Sequence, residues 1–346
     1  MTKENKLKSY YYSFIIVTLL LALLFSVLIA ISLGPLKISL IDTYKVVIGK
    51  ILSNQTLYDD ISKSIIAVIW NLRVPRVILG LIVGAGLAIC GAVMQATVNN
   101  PISEPYILGV SSGATFGATL IIACGLGFAV NFAAFLGALI ATFLVLLIAS
   151  KNGKMTTTRL ILSGTVVNAL FSALANFIIS VWANSDSIMT IKFWTMGALT
   201  NASWNNILLP LIVVGIATSF FMTQYRVMNT MTLGDETAIT LGVNLSKYRM
   251  LYMIIIAVLT GVLVSSCGII GFVGLIIPHI SRAIVGTNHK RLLPVVVILG
   301  ALFLIWADVL ARIILKNSEL PIGIFTALVG APFFVYIVSK KGYGKN

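Results

Sequence analysis

The sequence predicts an all-α integral membrane protein of about ten transmembrane helices, with both its N- and C-terminus in the cytoplasm. Three observations predict this fold class. Of 346 residues, 59% are hydrophobic and only 10% are charged, whereas soluble domains carry about 25% charged residues. The uncharged stretches between them are long enough for spans of roughly 20 residues. Basic residues gather at the two ends and in loops on one side, which is how membrane proteins use them.

Ten apolar spans follow from the charge-free windows, taken in chain order. The first window, 9–36, is too long for the core of a signal peptide, so it is predicted to be a retained helix. The window 105–150 divides near Gly125, and the window 250–281 divides near Gly268. The predicted spans are 12–33, 76–97, 106–124, 129–150, 159–181, 206–224, 249–267, 272–285, 292–315 and 320–339. Because the eighth is short, hydropathy alone allows eight to ten helices.

Orientation follows from the placement of the basic residues. Lys3, Lys6 and Lys8 precede the first span, and Lys340 and Lys341 follow the last. If both ends are cytoplasmic, the number of spans is even, and with ten spans more than half of the 24 basic residues fall inside. Orientation therefore explains the net charge of +14, and nucleic acid is not expected as a partner.

The whole chain, 1–346, is predicted to be a single transmembrane domain, because no Gly/Ser-rich linker or low-complexity tract divides it. Residues 38–52 have the pattern of an amphipathic helix lying on the outer surface of the membrane. Residues 224–248 are a polar cytoplasmic segment, in which the pair Asp235–Glu236 favours a helix start and Gly242 favours its end. Such a short helix indicates a docking element for a soluble partner, with an ordinary ordered loop as the alternative.

The fifth predicted span carries a polar stripe. Asn168, Ser172 and Asn176 recur every four residues between Gly164 and Ser180, so they share one helix face. A polar face turned toward lipid is costly, and the stripe is therefore expected to face protein or water. Two interpretations remain open at this point, hydrogen bonding between helices and the wall of a polar substrate path.

Packing patterns account for other features of the spans. Gly80 and Gly84 begin a stripe of small residues in the second span, and Gly113 belongs to another in the third. Both stripes predict close approach of helix backbones.

Asp308 lies four residues before Arg312 in the ninth span, a spacing that permits an ion pair on one helix face. A single paired aspartate is weak support for a proton relay, which uses carboxylates or histidines in series.

Several activities find no support in the sequence. It contains no G-x-x-x-x-G-K-[ST] phosphate loop, so the chain is not expected to bind ATP or Mg²⁺ itself. Gly109–Gly113 matches the G-x-S-x-G pattern of hydrolases, but it lies at the start of a membrane helix instead of a strand–turn–helix elbow. Three cysteines and two histidines leave little for a disulfide framework or a metal site. We therefore expect no catalytic residue, cofactor or metal, and the chain is predicted not to be an enzyme.

Five segments, in order along the chain, resemble one known family. They are LRVPRVILGLIVGAGLAICGAVMQATVNNPISEPYILGVSSGA (72–114), FWTMGALTNASW (193–204), LGDETAITLGVN (233–244), GIIGFVGLIIPHISRAIVGTNHKRLLP (268–294) and ADVLARIILKNSELPIGIFTALVGAPFF (307–334). Through them the chain closely resembles the permease subunits of bacterial ABC importers for iron–siderophore complexes, haem and cobalamin. The part of the chain before residue 72 carries little of this likeness.

The resemblance implies the fold of a type II ABC importer permease with ten helices, including the short eighth span. It implies a multi-pass protein of the bacterial cytoplasmic membrane, surrounded by lipid and paired with a second permease subunit, either identical or related. Two separate ATP-binding cassette subunits would bind ATP and Mg²⁺ below the membrane. An extracytoplasmic substrate-binding protein would dock above it.

The resemblance also implies roles for particular residues. In the family, the loop between the sixth and seventh helices fits a groove on the ATPase. The matching residues here are Asp235, Glu236, Ala238, Leu241, Gly242 and Val243. The family's fifth helix helps to line the path between the two permease subunits, which favours the path interpretation of the polar stripe. Thr157 and Thr158 match small hydroxyl residues near the cytoplasmic gate.

Three arginines match outward-facing arginines that meet acidic residues on the two lobes of the family's binding protein. They are Arg73, Arg76 and Arg312. The planar guanidinium fork suits this role because it binds carboxylates through two parallel hydrogen bonds. The alternatives are anchoring of Arg73 and Arg76 in lipid headgroups and simple pairing of Arg312 with Asp308.

The resulting hypothesis is an ATP-driven importer of an iron(III)–siderophore complex that works by alternating access. Haem or cobalamin as the cargo of the same kind of importer is the first alternative. An ion-driven secondary transporter is the second. A permease of the zinc or manganese ABC group is disfavoured, because the spans hold too few carboxylates and histidines to line a metal path.

Overall fold

The computed structural model describes residues 3–151, 155–242, 244–315 and 318–341. Within these ranges the regular structure is helical, and no residue lies in a β-strand. Seven of the described helices are long and apolar enough to cross a membrane, and three shorter apolar helices add to them. The prediction of an all-α membrane protein with about ten membrane helices is confirmed.

The α-helices are numbered in chain order. They are α1 (Lys3–Ser32), α2 (Leu40–Ile51), α3 (Lys63–Ala67), α4 (Val74–Val98), α5 (Val110–Ala123), α6 (Val130–Ser150), α7 (Thr157–Trp182), α8 (Ser185–Thr195), α9 (Trp204–Thr223), α10 (Tyr225–Met231), α11 (Asp235–Thr240), α12 (Leu245–Cys267), α13 (Val273–Val285), α14 (His289–Ile313) and α15 (Ile322–Lys341). The short apolar helices are α5, α13 and most of α15. Four others, α2, α8, α10 and α11, lie between the spans and are too short to cross a bilayer.

The second span is longer than the predicted 76–97. A continuous helix runs over 36 residues, Lys63–Val98, and a π-helical segment, Val68–Arg73, joins α3 to α4 within it. Hydropathy places the start of this helix too late because Lys63, Arg73 and Arg76 interrupt the apolar run. The structure places Arg73 on the π-helical turn, a kind of irregularity that is frequent at functional sites.

Close contacts between glycines hold the helices at the centre of the bundle together. A Cβ atom at Gly84 of α4 would meet the carbonyl group of Gly300 in α14, and one at Gly91 would meet the backbone of Gly274 in α13. Gly113 of α5 faces α6 in the same way. These contacts confirm the predicted close packing. In lipid no hydrophobic force draws helices together, so backbone contact over small residues replaces it.

The eighth span is short because the chain turns inside the bundle before α13. Gly268 has φ +72° and Phe272 has φ +69°, so the helix direction breaks on both sides of this loop. The loop's backbone is satisfied by protein groups: Ile270 N–H donates to Tyr106 Oη at 3.3 Å and Phe272 N–H to Glu104 Oε1 at 3.1 Å. Irregular backbone within a membrane protein is stable only where such partners exist.

The helix α2 occupies most of the segment 38–52, which was predicted to be amphipathic. Ser39 caps it by accepting a hydrogen bond from Ile41 N–H at 3.2 Å, and Val46 is buried on its inner face. On its exposed face Lys45 Nζ lies 2.6 Å from Asp60 Oδ2. This hydrogen bond raises the pKa of Lys45 and lowers the pKa of Asp60. The position of α2 on the outer membrane surface stays a prediction.

Candidate translocation, coupling and docking sites

A polar cleft of about 750 Å³ runs along the face of α7 that carries the predicted stripe. The helix begins after Thr156, whose side chain accepts a hydrogen bond from Arg159 N–H. Four-residue spacing then brings Asn168, Ser172 and Asn176 to one face, and all three line the cleft. The first turns of α5 and one face of α8 form the other walls.

Both interpretations of the stripe apply, each to different residues. Ser112 Oγ of α5 donates to Asn168 Oδ1 at 2.7 Å, which is a hydrogen bond between two helices. Ser172 and Asn176 are exposed, and their side chains have no hydrogen-bond partner within the described part of the chain. The inner part of the stripe therefore joins helices, whereas the part nearer Trp182 presents open polar groups to the cleft.

The helix α8 is absent from the predicted spans and forms a wall of this cleft. Asn184 caps it by accepting a hydrogen bond from Ser187 N–H at 2.8 Å. Ile188, Lys192 and Thr195 then face the cleft. The Asn-Ser-Asp sequence at 184–186, a capping residue followed by an acid in the first turn, is the signal that would have predicted a helix start here.

The predicted inner gate is packed against the end of α4. Thr157 Oγ1 donates to Val98 O at 3.0 Å, and Arg249 Nε of α12 donates to Thr97 O at 3.0 Å. The last carbonyl groups of a helix have no partner within it, so these two side chains supply one for α4. Thr158 is exposed. The gate role of both threonines stays a prediction.

The predicted coupling segment forms a short helix, α11, between two glycines with positive φ. It begins at Asp235 and is followed by Gly242, whose φ is +77°. Ala238 is fully buried, whereas 61% of Leu241 is exposed. Glu236 lies within α11, and Val243 lies outside the described residues. A single exposed leucine is common on a protein surface and does not by itself indicate a partner, so ATPase coupling stays a prediction.

A polar contact that the sequence did not indicate joins α10, the helix before α11, to the start of α14. Asn229 Oδ1 of α10 accepts a hydrogen bond from His289 N–H at 2.9 Å and lies 2.8 Å from His289 Nδ1. Its Nδ2 donates to Asn288 Oδ1 at 3.2 Å. Met228 and Met231 of α10 are fully buried beneath. Asn229 therefore ties α10 to the start of α14.

Arg73, one of the predicted docking residues, is buried against the end of α1. Only 5% of it is exposed. Its guanidinium group donates to Ile31 O at 3.2 Å, to Ser32 O at 2.6 Å and to Leu36 O. A helix C-terminus leaves its last carbonyl groups unsatisfied, and Arg73 satisfies them here. Direct docking by Arg73 would require these bonds to open.

Arg312 is also buried, and it forms the predicted ion pair with Asp308. Its Nε lies 3.0 Å from Asp308 Oδ2, and only 3% of each side chain is exposed. Its Nη1 also donates to Leu33 O at 3.1 Å. The pairing with Asp308 that the sequence offered as the alternative is present, and docking by Arg312 stays a prediction.

Arg76 is the one of the three predicted docking arginines that borders open space. Its Nη2 lies 2.9 Å from Asp308 Oδ1, and its Nη1 lies 2.8 Å from Glu319 Oε2. Its side chain is 14% exposed, and that of Glu319 is 36% exposed. Both border a cavity of about 420 Å³ that also contacts Trp194. One branch of the guanidinium fork is therefore held by a buried carboxylate and the other by a half-exposed one.

Comparison with known proteins places these features in context. A model of the FecCD transport family matches residues 21–340. A cobalamin import system permease protein of Halobacterium salinarum is 43% identical over 277 residues, which are 79% of this chain and 74% of that protein. An Fe(3+)-citrate import system permease protein of Bacillus subtilis is 36% identical over 331 residues, or 94% of each chain. An inward-facing structure described as that of a metal-chelate type ABC transporter matches with a TM-score of 0.82 and 32% identity, covering 94% of this chain and 99% of that one.

Proposed function

The chain belongs to the FecCD transport family, and we propose that it is the permease through which an ATP-driven importer moves an iron(III)–siderophore complex by alternating access. It is a multi-pass protein of the cytoplasmic membrane and an ABC importer permease. The observation that carries the proposal is the cleft of about 750 Å³ beside α7. Ser172 and Asn176 offer polar groups to it that no other group in the described chain uses.

The cleft is one side of a path that a second permease subunit, identical or related, would complete. The helix α7 carries exposed apolar residues, among them Leu162, Val166 and Leu170, which stand two residues from the members of the polar stripe and so lie on roughly the opposite helix face. That apolar face suits lipid, whereas the exposed Ser172 and Asn176 fit a partner subunit better, because lipid would leave their polar groups unsatisfied.

Two separate ATP-binding subunits would drive the change of shape from the cytoplasmic side. Closure of the paired ATPases would move α11, and the contact of Asn229 with His289 would carry this movement to α14. Converting a two-state equilibrium from 1:99 to 99:1 takes about 5.5 kcal/mol. No covalent chemistry in this chain is required.

Reconstitution distinguishes this function from an ion-driven transporter. The chain, purified with whatever ATP-binding subunit accompanies it, is placed in proteoliposomes with its binding protein, and uptake of an iron(III) chelate is measured. We expect uptake that requires ATP and persists after an ionophore collapses the proton gradient. Uptake that stops with the proton gradient and needs no ATP would establish a secondary transporter instead.

We place the docking of the binding protein at Arg76. Its second branch is held by Glu319, a carboxylate of the outer loop that an acidic residue of a partner can replace. Arg73 and Arg312 are more deeply buried than Arg76, and both donate hydrogen bonds to carbonyl groups at the end of α1. Glu319 would therefore act as an internal competitor for the same guanidinium fork.

Two opposite changes test this docking site. Arg76→Gln should weaken the affinity for the binding protein about tenfold or more, a loss of about 1.4 kcal/mol. Glu319→Gln should strengthen it, because it frees Arg76 Nη1. The measurement is the Kd for the binding protein on the complete importer, and Lys63→Gln is the control for loss of an exposed charge. A Glu319→Gln variant that binds more weakly than the wild type would show that Glu319 supports docking.

Cobalamin is the second candidate cargo, because the relative that is 43% identical is a cobalamin import system permease. Haem remains a third. A deletion strain that carries the chain with its partner subunits would be grown on single siderophores, haem or cobalamin. Growth on a ferric siderophore alone supports the proposal, and growth that responds to cobalamin alone replaces it with the second candidate.

A further inference from the structure

The cleft beside α7 has one formally charged side chain in its lining, that of Lys192. The other described residues that line it are apolar or carry hydroxyl and amide groups, and no carboxylate is among them. A path for a cationic cargo would be expected to hold an acidic residue, and a path for a neutral one would need no charge. A lining with one lysine and no carboxylate therefore fits neither a cationic nor a neutral cargo as well as an anionic one.

The helix α8 brings Lys192 to the face that lines the cleft. Ile188, Ile191, Lys192 and Thr195 are spaced by three and four residues, so they share one helix face, and all four line the cleft. Asp186, the acidic residue of the same helix, lines a separate outer cavity of about 680 Å³ on another face. The carboxylate closest in sequence is thus directed away from the cleft.

The polar groups around Lys192 are available to a ligand. Within the described part of the chain, its ammonium group makes no ion pair or hydrogen bond, and the side chains of Ser172 and Asn176 also have no partner. By contrast, Tyr106 Oη donates to Ile270 O at 2.8 Å, and Asn168 is bonded to Ser112. Ser172 and Asn176 lie in the half of α7 toward Trp182, and Ser111 of α5, whose hydroxyl also has no partner within the described chain, lines the cleft next to Ser112.

An ammonium group has three N–H donors and no acceptor, and its hydrogen bonds to ionised carboxylates are shorter and stronger than neutral ones. We propose that Lys192 makes this cleft selective for anionic cargo, namely metal chelates that present carboxylate groups. This inference rests on the proposed importer function and specifies its substrate class. Ser172 and Asn176 supply neutral hydrogen bonds beside the charge.

If Lys192 had a purely structural role, a different result would be expected. The residue lies in the last turn of α8, where a positive charge interacts favourably with the helix dipole. Loss of that effect would lower the uptake of every cargo alike. Selectivity among cargoes of different charge is therefore the measurement that separates the two roles.

The test compares four cargoes in the complete importer. Ferric citrate and haem carry free carboxylate groups, whereas a ferric trihydroxamate and cobalamin do not. ATP-dependent uptake of each is measured for the wild type, Lys192→Gln and Lys192→Arg. Lys37→Gln, which removes an exposed charge from the segment between α1 and α2, is the matched control.

We expect Lys192→Gln to lower the uptake of ferric citrate or haem about tenfold, equivalent to about 1.4 kcal/mol, and to leave the other two nearly unchanged. Lys192→Arg should retain most of the uptake. If only one carboxylate cargo is carried, its loss in Lys192→Gln but not in Lys37→Gln supports the inference. Equal loss for all cargoes, no loss, or transport of the carboxylate-free cargoes alone would overturn it. Absence of ATP-dependent uptake of every cargo would instead overturn the importer function.

Discussion

Asp308 shows how a single buried charge organises the outer end of the bundle. Its two carboxylate oxygens lie 2.9 Å from Arg76 Nη2 and 3.0 Å from Arg312 Nε, and only 3% of its side chain is exposed. Arg312 in turn donates to Leu33 O at 3.1 Å, beyond the end of α1. Removing charges from water is costly, so each member of this cluster is stable only while its partners remain.

Substitution of this aspartate should therefore destabilise the protein strongly. Asp308→Asn leaves Arg312 buried without its counter-charge, and losing one partner of a buried ion pair costs about 3–5 kcal/mol. The measurement is the Tm of the protein in detergent. Asp60→Asn is the control, because its pair with Lys45 is exposed and solvent already screens it. Equal Tm values for the two variants would contradict a structural role of Asp308.

At the scale of elements, the short cytoplasmic helices combine a fixed side and an exposed side. The helix α10 is held by the buried Met228 and by the contact of Asn229 with His289. Next to it, α11 buries Ala238 and leaves Leu241 exposed. An element that is anchored on one face and open on the other is suited to transmit a partner's movement into the bundle.

A bulky residue at the end of α11 should uncouple the importer. Gly242 has φ +77° and no atom near a Cβ built on it, so Trp at this position costs backbone strain and fills the space beside Leu241. Gly242→Trp should lower the affinity for the ATP-binding subunit and the uptake about tenfold or more. Co-purification and uptake are the measurements.

The matched control is Gly125→Trp, at a glycine with φ +74° and open surroundings before α6. Trp at Gly125 carries a similar backbone strain of about 1–2 kcal/mol, but this glycine lies between α5 and α6, on the side of the bundle away from α11. If Gly242→Trp binds the ATPase and imports cargo as well as Gly125→Trp does, the coupling assignment is wrong.

At the scale of the whole molecule, ten membrane helices place the outer and inner sites at opposite ends of the same bundle. With the N-terminus inside, α5 ends on the outer side, at the exposed Cys124. The same orientation places α11 inside and the pair of Arg76 with Glu319 outside. The two other cysteines, Cys90 and Cys267, are buried.

The natural cysteines allow a direct test of this orientation. A membrane-impermeant maleimide added to intact cells should label the protein at Cys124, and Cys124→Ser should abolish the labelling. Leu241→Cys in that background should react only in inverted vesicles, because α11 faces the cytoplasm. Labelling of Cys124 only in inverted vesicles would reverse the proposed orientation.

Features that depend on local chemistry were predictable from the sequence. Apolar runs, basic ends, the acidic start of α11 and the glycine after it are each decided by a few neighbouring residues. The spacing of Asp308 and Arg312 predicted their ion pair for the same reason, because four residues make one turn of a helix. The polar stripe of α7 could be placed on one face, although the sequence left its two interpretations open.

What the tertiary structure decided depends on residues far apart in the chain. Arg73 and Arg312 look exposed from their place near the ends of apolar spans, yet the end of α1 covers both. Asn168 bonds across to α5 while Ser172 and Asn176 stay open, because α5 contacts only part of the stripe. Lys192 lines the cleft because α8 folds back over it. Local sequence determined the helices and their orientation, whereas packing between helices determined which charges are buried and which are available to a cargo or a partner.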